Sequence, residues 1–241
     1  MSETILSIAG VSRRFVGLLA VDQVSFEVSR GEILSIIGPN GAGKTTLFNL
    51  LTGQLRPTAG TVTYRGEVVN RLPPEQRARR GMGRTFQIAK PFLALSALEN
   101  VMIGAFLRDR GTAAARDKAF AVLEEVGLAD RAEVSAAELT LSERRRLEVA
   151  RALALKPDLI LLDEVMAGLN PTEVQQQIDL VHQLNRQGLT LLVIEHNLKV
   201  VRSFARRVLV LARGALIADG AAETVLETPA VVEAYLGSRR R

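Results

Sequence analysis

The apolar positions fall into short runs with two different periods. Val21, Val24, Phe26 and Val28 alternate with polar residues, which is the pattern of a half-buried strand. Leu6–Phe15 reads as a strand running into a turn, and Ser29-Arg30-Gly31 as a second turn. Ile33–Ile37 is almost wholly apolar and suits a buried parallel strand. A helix is expected from near Gly43 to near Gly53, whose glycine fits a C-terminal cap. Thr61–Val69 looks like another strand, interrupted at Gly66. After Gln87 the period changes. Ala97–Arg108, Ala113–Val126 and Ser142–Leu155 read as helices, separated by Gly111, Gly127 and the stretch around Ser135. Strands return at Asp158–Leu162 and Thr190–Glu195, with a helix at Thr172–Arg186 between them. Val208–Leu211 and Leu216–Ala218 predict a hairpin around Gly214, and Glu223–Leu236 one or two short helices broken at Pro229. Strands alternating with helices predict an α/β fold with a helical lobe inserted between two strand-rich parts.

The segment Gly38-Pro39-Asn40-Gly41-Ala42-Gly43-Lys44-Thr45 changes this picture from a fold to a chemistry. It fits the phosphate-loop pattern G-x-x-x-x-G-K-[ST] and lies between an expected strand and an expected helix. Glycines let the backbone wrap a phosphate, successive N–H groups form an anion nest, and the helix adds its positive end. The pattern puts Lys44 on the β- and γ-phosphates of ATP and the Thr45 hydroxyl on Mg²⁺; Thr46 completes the loop. A dinucleotide fold is a weaker match, because Thr46 stands where a third glycine belongs and Lys44 has no role there. The apolar strand Leu159–Leu162 ends in Asp163 and Glu164. Asp163 is placed to hold Mg²⁺ through its waters, and Glu164 to orient and deprotonate an attacking water. Three further residues stay open on position alone. His196 fits a γ-phosphate contact or a satisfied strand-end histidine. Gln87, after the short strand-like run Arg84–Phe86, fits a contact to Mg²⁺ or water, or a helix cap. Phe15 fits an adenine stack or core packing.

Composition narrows the class. Hydrophobic residues make up 47% of the 241, enough for a sizeable core, and Lys and Arg exceed Asp and Glu by 31 to 26. The basic excess is spread over Arg77, Arg79, Arg80, Arg84, Arg144–Arg146, Arg206, Arg207 and Arg239–Arg241, which reads as solvated faces and not one nucleic-acid stripe. The absence of cysteine excludes disulfides and thiolate metal sites. Met1-Ser2-Glu3-Thr4 carries no secretory pattern, and no apolar run approaches the roughly 20 residues of a membrane span, so a membrane link is expected to go through a partner.

With these motifs in hand, the chain resembles the nucleotide-binding subunit of ABC transporters over essentially its whole length. Phe15 stands at that family's adenine-stacking position, Gly38–Thr46 at the Walker A loop, Gln87 at the Q-loop, Asp163 and Glu164 at the Walker B pair, and His196 at the switch histidine. Leu139-Thr140-Leu141-Ser142-Glu143 stands at the signature motif and Ala167-Gly168-Leu169-Asn170 at the D-loop. The resemblance implies a P-loop NTPase with an N-terminal antiparallel β subdomain, a RecA-like core near 1–87 and 156–241, and a helical subdomain near 88–155. It also implies ATP and Mg²⁺ as cofactors and two ATP-binding subunits facing head to tail. Thr140 and Ser142 of one subunit then cover ATP held by the other. Membrane-spanning permease subunits, an extracytoplasmic solute-binding protein and a place on the cytoplasmic face of the inner membrane follow, with no nucleic acid. Gly81–Gln87, Leu98–Gly104 and the tail Thr228–Gly237 are most similar to branched-chain amino-acid importers; lipid-linked exporters share much of this wording.

Two departures stand out. Leu141 and Ser142 replace two glycines of the usual signature, which predicts a reshaped phosphate contact, and Asn170 replaces the usual aspartate of the D-loop. A soluble ABC-type ATPase acting on nucleic acid or ribosomes is the rival reading. It calls for a coiled-coil insertion or a second phosphate loop, and neither is present. A GTPase would need an Asn-Lys-x-Asp stretch, which is also absent.

Overall fold

The computed structural model describes residues 3–85, 91–107 and 111–236. The chain opens with a hairpin of β1 (Thr4–Phe15) and β2 (Leu18–Ser29), then β3 (Ile33–Ile37) and α1 (Lys44–Leu51). β4 (Ala59–Tyr64), β5 (Glu67–Val68), α2 (Pro74–Arg79) and β6 (Met82–Arg84) follow. Three helices come next: α3 (Ala97–Ala105), α4 (Thr112–Glu125) and α5 (Leu141–Leu153), with a 3-10 turn at Ala129–Arg131. The rest alternates: β7 (Leu159–Asp163), α6 (Pro171–Arg186), β8 (Thr190–Ile194), α7 (Leu198–Phe204), β9 (Arg207–Ala212), β10 (Ala215–Ala221), α8 (Ala222–Val225) and α9 (Pro229–Leu236).

The strands make two sheets, one antiparallel in the order β2-β1-β4-β5 and one mixed in the order β10-β9-β3-β8-β7-β6. In the mixed sheet every neighbouring pair is parallel except β9 and β10. Its central strands are almost wholly apolar because both faces are covered. Ile33, Ile37, Ile160, Leu162, Leu191 and Val193 join the core shared with the helical lobe. Leu34, Ile36, Leu159, Leu161, Leu192 and Ile194, the alternate positions, join the core shared with α1 and the antiparallel sheet. A period of two inside a nearly continuous apolar run therefore divides one strand between two cores.

The α/β fold, the antiparallel N-terminal sheet and the contiguous helical stretch agree with expectation. The break at Gly66 is a tight turn, with Arg65 at φ 52° and Gly66 at φ 79°, and the Arg213-Gly214 hairpin has the same left-handed pair. Three elements escape the pattern. The expected strand-like run Arg84–Phe86 is Met82–Arg84 instead, with Phe86 outside the described residues. α2 and α7 are six and seven residues long, too short to display a helical period. α2 delivers Arg77, 1% exposed, whose guanidinium donates to Leu50 O, Leu51 O, Val69 O and Leu72 O at 2.5–3.0 Å. It thereby closes the C-terminal end of α1.

Candidate functional site

The register of the mixed sheet brings three loops to one edge. Ile36 and Asp163 both pair with Ile194 on β8, so the segments after β3, β7 and β8 leave the sheet together. This is the carboxyl edge of parallel strands, the usual ligand crevice of such sheets. The loop after β3 begins at Gly38, where an added Cβ would stand 2.2 Å from Leu211 O; at Gly43 it would stand 2.4 Å from Ala20 O. Both also have positive φ, 152° and 102°, so no other residue fits either place. The loop is braced from two hairpins: Gly214 N donates to Ala42 O and Asp22 N to Gly214 O. Gly43 caps α1 without a side chain, leaving the first-turn N–H groups turned to the loop.

A cleft of about 710 Å³ lies against this loop, lined by Asn40–Thr46, by Leu18–Ala20 of β2, by Arg213 and Gly214, and by Glu164 and His196. Lys44 Nζ donates to Gly38 O at 2.7 Å and Pro39 O at 3.0 Å. Its burial favours the neutral amine, opposed by Glu164 and Asp163. Gly38 and Pro39 thus shape the loop from its start, while Gly41 has open space beside it. Glu164 takes φ 52°, uncommon for a long side chain, and its N–H donates to Ile194 O at 3.0 Å. That turn aims its carboxylate at His196 Nε2, with which it makes a short contact. His196, which position alone left open, is therefore the partner of Glu164.

Next to them lies a carboxyl that no motif indicated. Glu195 is buried, and its Oε1 accepts from Met166 N at 3.1 Å, tying β8 to the loop after β7. Burial pushes its pKa up from 4.5 to about 7, and Glu164 adds to this; the Met166 and His196 N–H groups and Arg145 oppose it. The folded chain then keeps a proton that the unfolded chain loses above pH 4.5, so stability falls as pH rises from 4.5 through 7. Glu195→Gln keeps the acceptor for Met166 N–H and removes the titration. The variant should melt higher relative to the parent at pH 8 than at pH 5; equal differences at both values would show that Glu195 does not titrate in this range.

On the other side of Thr45 a second cleft, of about 560 Å³, is bounded by Thr45, Asn49, Arg84 and Asp163 and, on the helical lobe, by Ile103, Leu107 and Leu155. Asp163 is 1% exposed. Its Oδ2 accepts from Arg84 Nη2 at 3.2 Å and its Oδ1 accepts no hydrogen bond among the described residues. Burial pushes this carboxyl up, and Arg84 opposes that. A buried oxygen with spare lone pairs, beside a threonine hydroxyl, fits Mg²⁺, which favours one carboxylate, waters and phosphate oxygens. No cluster of three or more acidic or histidine ligands that could hold a metal occurs among the described residues.

The remaining expected site residues lie elsewhere. Phe15 is half-exposed and does not line the phosphate cleft; Leu18, Leu19 and Ala20 of the same hairpin do. One face of its ring carries the Arg13 guanidinium at 4.7 Å. Gln87 lies outside the described residues. Thr140 and Ser142 lie at the start of α5, away from both clefts. Thr140 is exposed and caps α5, accepting from Glu143 N while Glu143 accepts from Thr140 N. Ser142 is buried as a whole residue, 4% exposed, and its Oγ has no hydrogen-bond partner among the described residues. Leu141 is exposed and reaches to Gly168. Asn170 caps α6 in a second reciprocal box with Glu173. This accounts for asparagine there, since Asn caps as well as Asp.

Comparison with known proteins bears directly on this arrangement. The family described as "ABC transporter" matches residues 21–167. The high-affinity branched-chain amino acid transport ATP-binding protein LivG of Salmonella typhimurium (strain LT2) is 40% identical, the match covering 98% of this chain and 99% of that one. Among solved structures, the ADP conformation of MJ1267, an ATP-binding cassette of an ABC transporter, superposes with a TM-score of 0.90 at 32% identity over 98% of this chain and 100% of the other. The dimeric post-hydrolysis state of the cassette MJ0796, bound to ADP and Pi, gives 0.82 at 26% identity over 90% of this chain and 99% of the other.

Proposed function

This chain belongs to the ABC transporter family, a nucleotide-binding ATPase of a transporter, and we propose that it powers the import of branched-chain amino acids or a related small solute. The cargo rests on the likeness to LivG over nearly the whole of both chains. We read residues 1–87 and 156–241 as the ATP-binding core and 88–155 as the helical lobe.

The observation that carries hydrolysis is the Glu164–His196 pair at the lip of the cleft that holds Lys44. ATP lies with its phosphates in Gly38–Thr46, where glycine backbone and the start of α1 supply N–H groups. Lys44 carries the positive charge toward the β- and γ-phosphates. Glu164 accepts a proton from the attacking water, and His196 holds that carboxylate in line and reaches the γ-phosphate. Thr45, Asp163 and Gln87 are the residues that would hold Mg²⁺, which when bound would neutralise charge on the phosphate oxygens. Phe15 flanks the adenine.

The second half of the site comes from a second ATP-binding subunit, a reading supported by the dimeric state of the similar MJ0796 cassette. Thr140 and Ser142, at the start of α5, are the residues of this chain assigned to approach the γ-phosphate across the seam. Glu143 sets the strength of that approach. Its burial favours the neutral form, but Thr140 and Arg131 outweigh this and hold the carboxyl below the usual range. An ionised carboxylate at the start of α5 thus repels phosphate as Thr140 attracts it, and Arg131 at 2.9 Å moderates the repulsion.

No helix among the described residues is long and apolar enough to cross a membrane. The exposed Phe92, Leu93, Ile103, Phe106 and Leu107 on one flank of the helical lobe support a membrane-spanning permease as the partner. The chain then sits on the cytoplasmic face of the inner membrane, fed from outside by a solute-binding protein. The test is to purify the chain from membranes with its partners and reconstitute them in vesicles. ATP-dependent accumulation of leucine, isoleucine or valine is expected. Recovery of nucleic acid in place of a multispanning partner would overturn the transport reading, and transport of none of the three amino acids would overturn the cargo.

A further inference from the structure

Arg84 lies in the stretch leading to Gln87 with no role of its own assigned from sequence, yet it connects the two elements that carry the metal-holding groups. Its side chain is 9% exposed. Nη1 donates to Asn49 Oδ1 at 2.6 Å and Thr52 Oγ1 at 2.9 Å, both on or at the end of α1, the helix that begins with Lys44 and Thr45. Nη2 donates to Asp163 Oδ2 at 3.2 Å, at the end of β7. The guanidinium lies over the Phe48 ring at 5.9 Å, and Nε donates to Thr85 O at 3.3 Å. Thr85 in turn accepts from Asp163 N through its hydroxyl at 3.1 Å. One planar, five-donor group therefore sets the separation of α1 from β7, and with it that of Thr45 from Asp163. It also occupies one carboxylate oxygen and leaves the other uncommitted.

We propose that Arg84 is a positioning residue for the metal: it pins Asp163 Oδ2 so that Oδ1 accepts from the waters of Mg²⁺, at a distance from Thr45 fixed through Asn49 and Thr52. This rests on the reading of Asp163 as the Mg²⁺ carboxylate. A lysine cannot reproduce it, because one ammonium does not span acceptors on two elements in a plane. Without the guanidinium, Asp163 loses the cation that counters its burial and is free to rotate.

The test measures binding of a fluorescent ATP analogue to the chain, first without divalent cation and then along a Mg²⁺ titration. The parent, Arg84→Met, Arg84→Lys, Asp163→Asn and the double variant Arg84→Met/Asp163→Asn are compared. Arg84→Met is expected to raise the Mg²⁺ midpoint about 10–100-fold, while Mg²⁺-free binding stays within about a factor of two. Arg84→Lys shifts the midpoint in the same direction and serves alone if the methionine variant does not fold. The double variant is expected to be no worse than Asp163→Asn, since both act through one carboxylate. An unchanged midpoint in the Arg84 variants beside a shifted one in Asp163→Asn would overturn the role of Arg84. An unchanged midpoint in Asp163→Asn itself would overturn the reading beneath it. Equal loss of Mg²⁺-free and Mg²⁺-bound affinity in the Arg84 variants would make Arg84 a structural residue only.

Discussion

Glu164→Gln is expected to lower ATP turnover by about two to four orders of magnitude, the usual worth of a positioned general base, while leaving ATP bound. The amide has nearly the shape of the carboxylate, so the turn at φ 52° and the N–H bond to Ile194 O persist. What is lost is the lone pair that takes the water's proton. Lys44, Thr45 and Asp163 are untouched, so the phosphates are held as before. Two subunits closed over ATP then have no route to reopen by hydrolysis, and the variant should accumulate as an ATP-bound dimer on gel filtration. The same experiment in His196→Ala separates the pair. His196 is 41% exposed on its side chain and Glu164 11%, so the histidine is the more replaceable packing element, and its loss should slow hydrolysis with ATP affinity nearly kept. Turnover in Glu164→Gln within about twofold of the parent would place the base elsewhere, for a missing base cannot cost so little.

That pair shows which parts of the site are legible in the chain and which are not. Gly38–Thr45 and Asp163-Glu164 are read directly because each motif is local: loop, cap and helix start lie within eight consecutive residues, and the two carboxylates end one strand. Position alone leaves His196 open, and its tie to Glu164, 32 positions away, follows from the pairing of β7 and β8. Arg84 is 79 positions from Asp163, and nothing local marks an arginine in a three-residue strand as buried. Glu195 hides for the opposite reason: it sits beside a motif residue and looks like its solvated neighbour. Helix starts carry a local signal of their own. Ser96-x-x-Glu99, Thr140-x-x-Glu143 and Asn170-x-x-Glu173 share one spacing, and all three are reciprocal caps. They mark the starts of α3, α5 and α6 to the residue, and they explain why the signature keeps a hydroxyl at 140 and the D-loop an amide at 170.

Arg77→Met is the substitution expected to cost most stability without touching the phosphates. The methionine fills similar space but leaves the carbonyls of Leu50, Leu51, Val69 and Leu72 without the donors they now have. A buried acceptor stripped of its partner costs about 1–3 kcal/mol, and these four lie within one pocket, so several kcal/mol is expected. For a domain of this size that is a fall in melting temperature on the order of 10 °C. Burial lowers the Arg77 pKa to about 10, so the cation persists at neutral pH, where it also faces the negative end of α1. The site is built around it: a Cβ on Gly53 would stand 2.8 Å from Arg77 Nε and 2.7 Å from Leu72 O. The glycine that ends the helix is thus demanded by the arginine as well as by its own φ of 81°. Arg77→Lys should recover only part of the loss, because an ammonium offers three donors to four acceptors. ATP binding per folded molecule should be unchanged in both variants, since Arg77 acts on the C-terminal end of α1 and the phosphates on its N-terminal end. A melting temperature within about 2 °C of the parent would mean that water reaches these carbonyls once the guanidinium is gone, and that the end of α1 is not the dry pocket its 1% exposure describes.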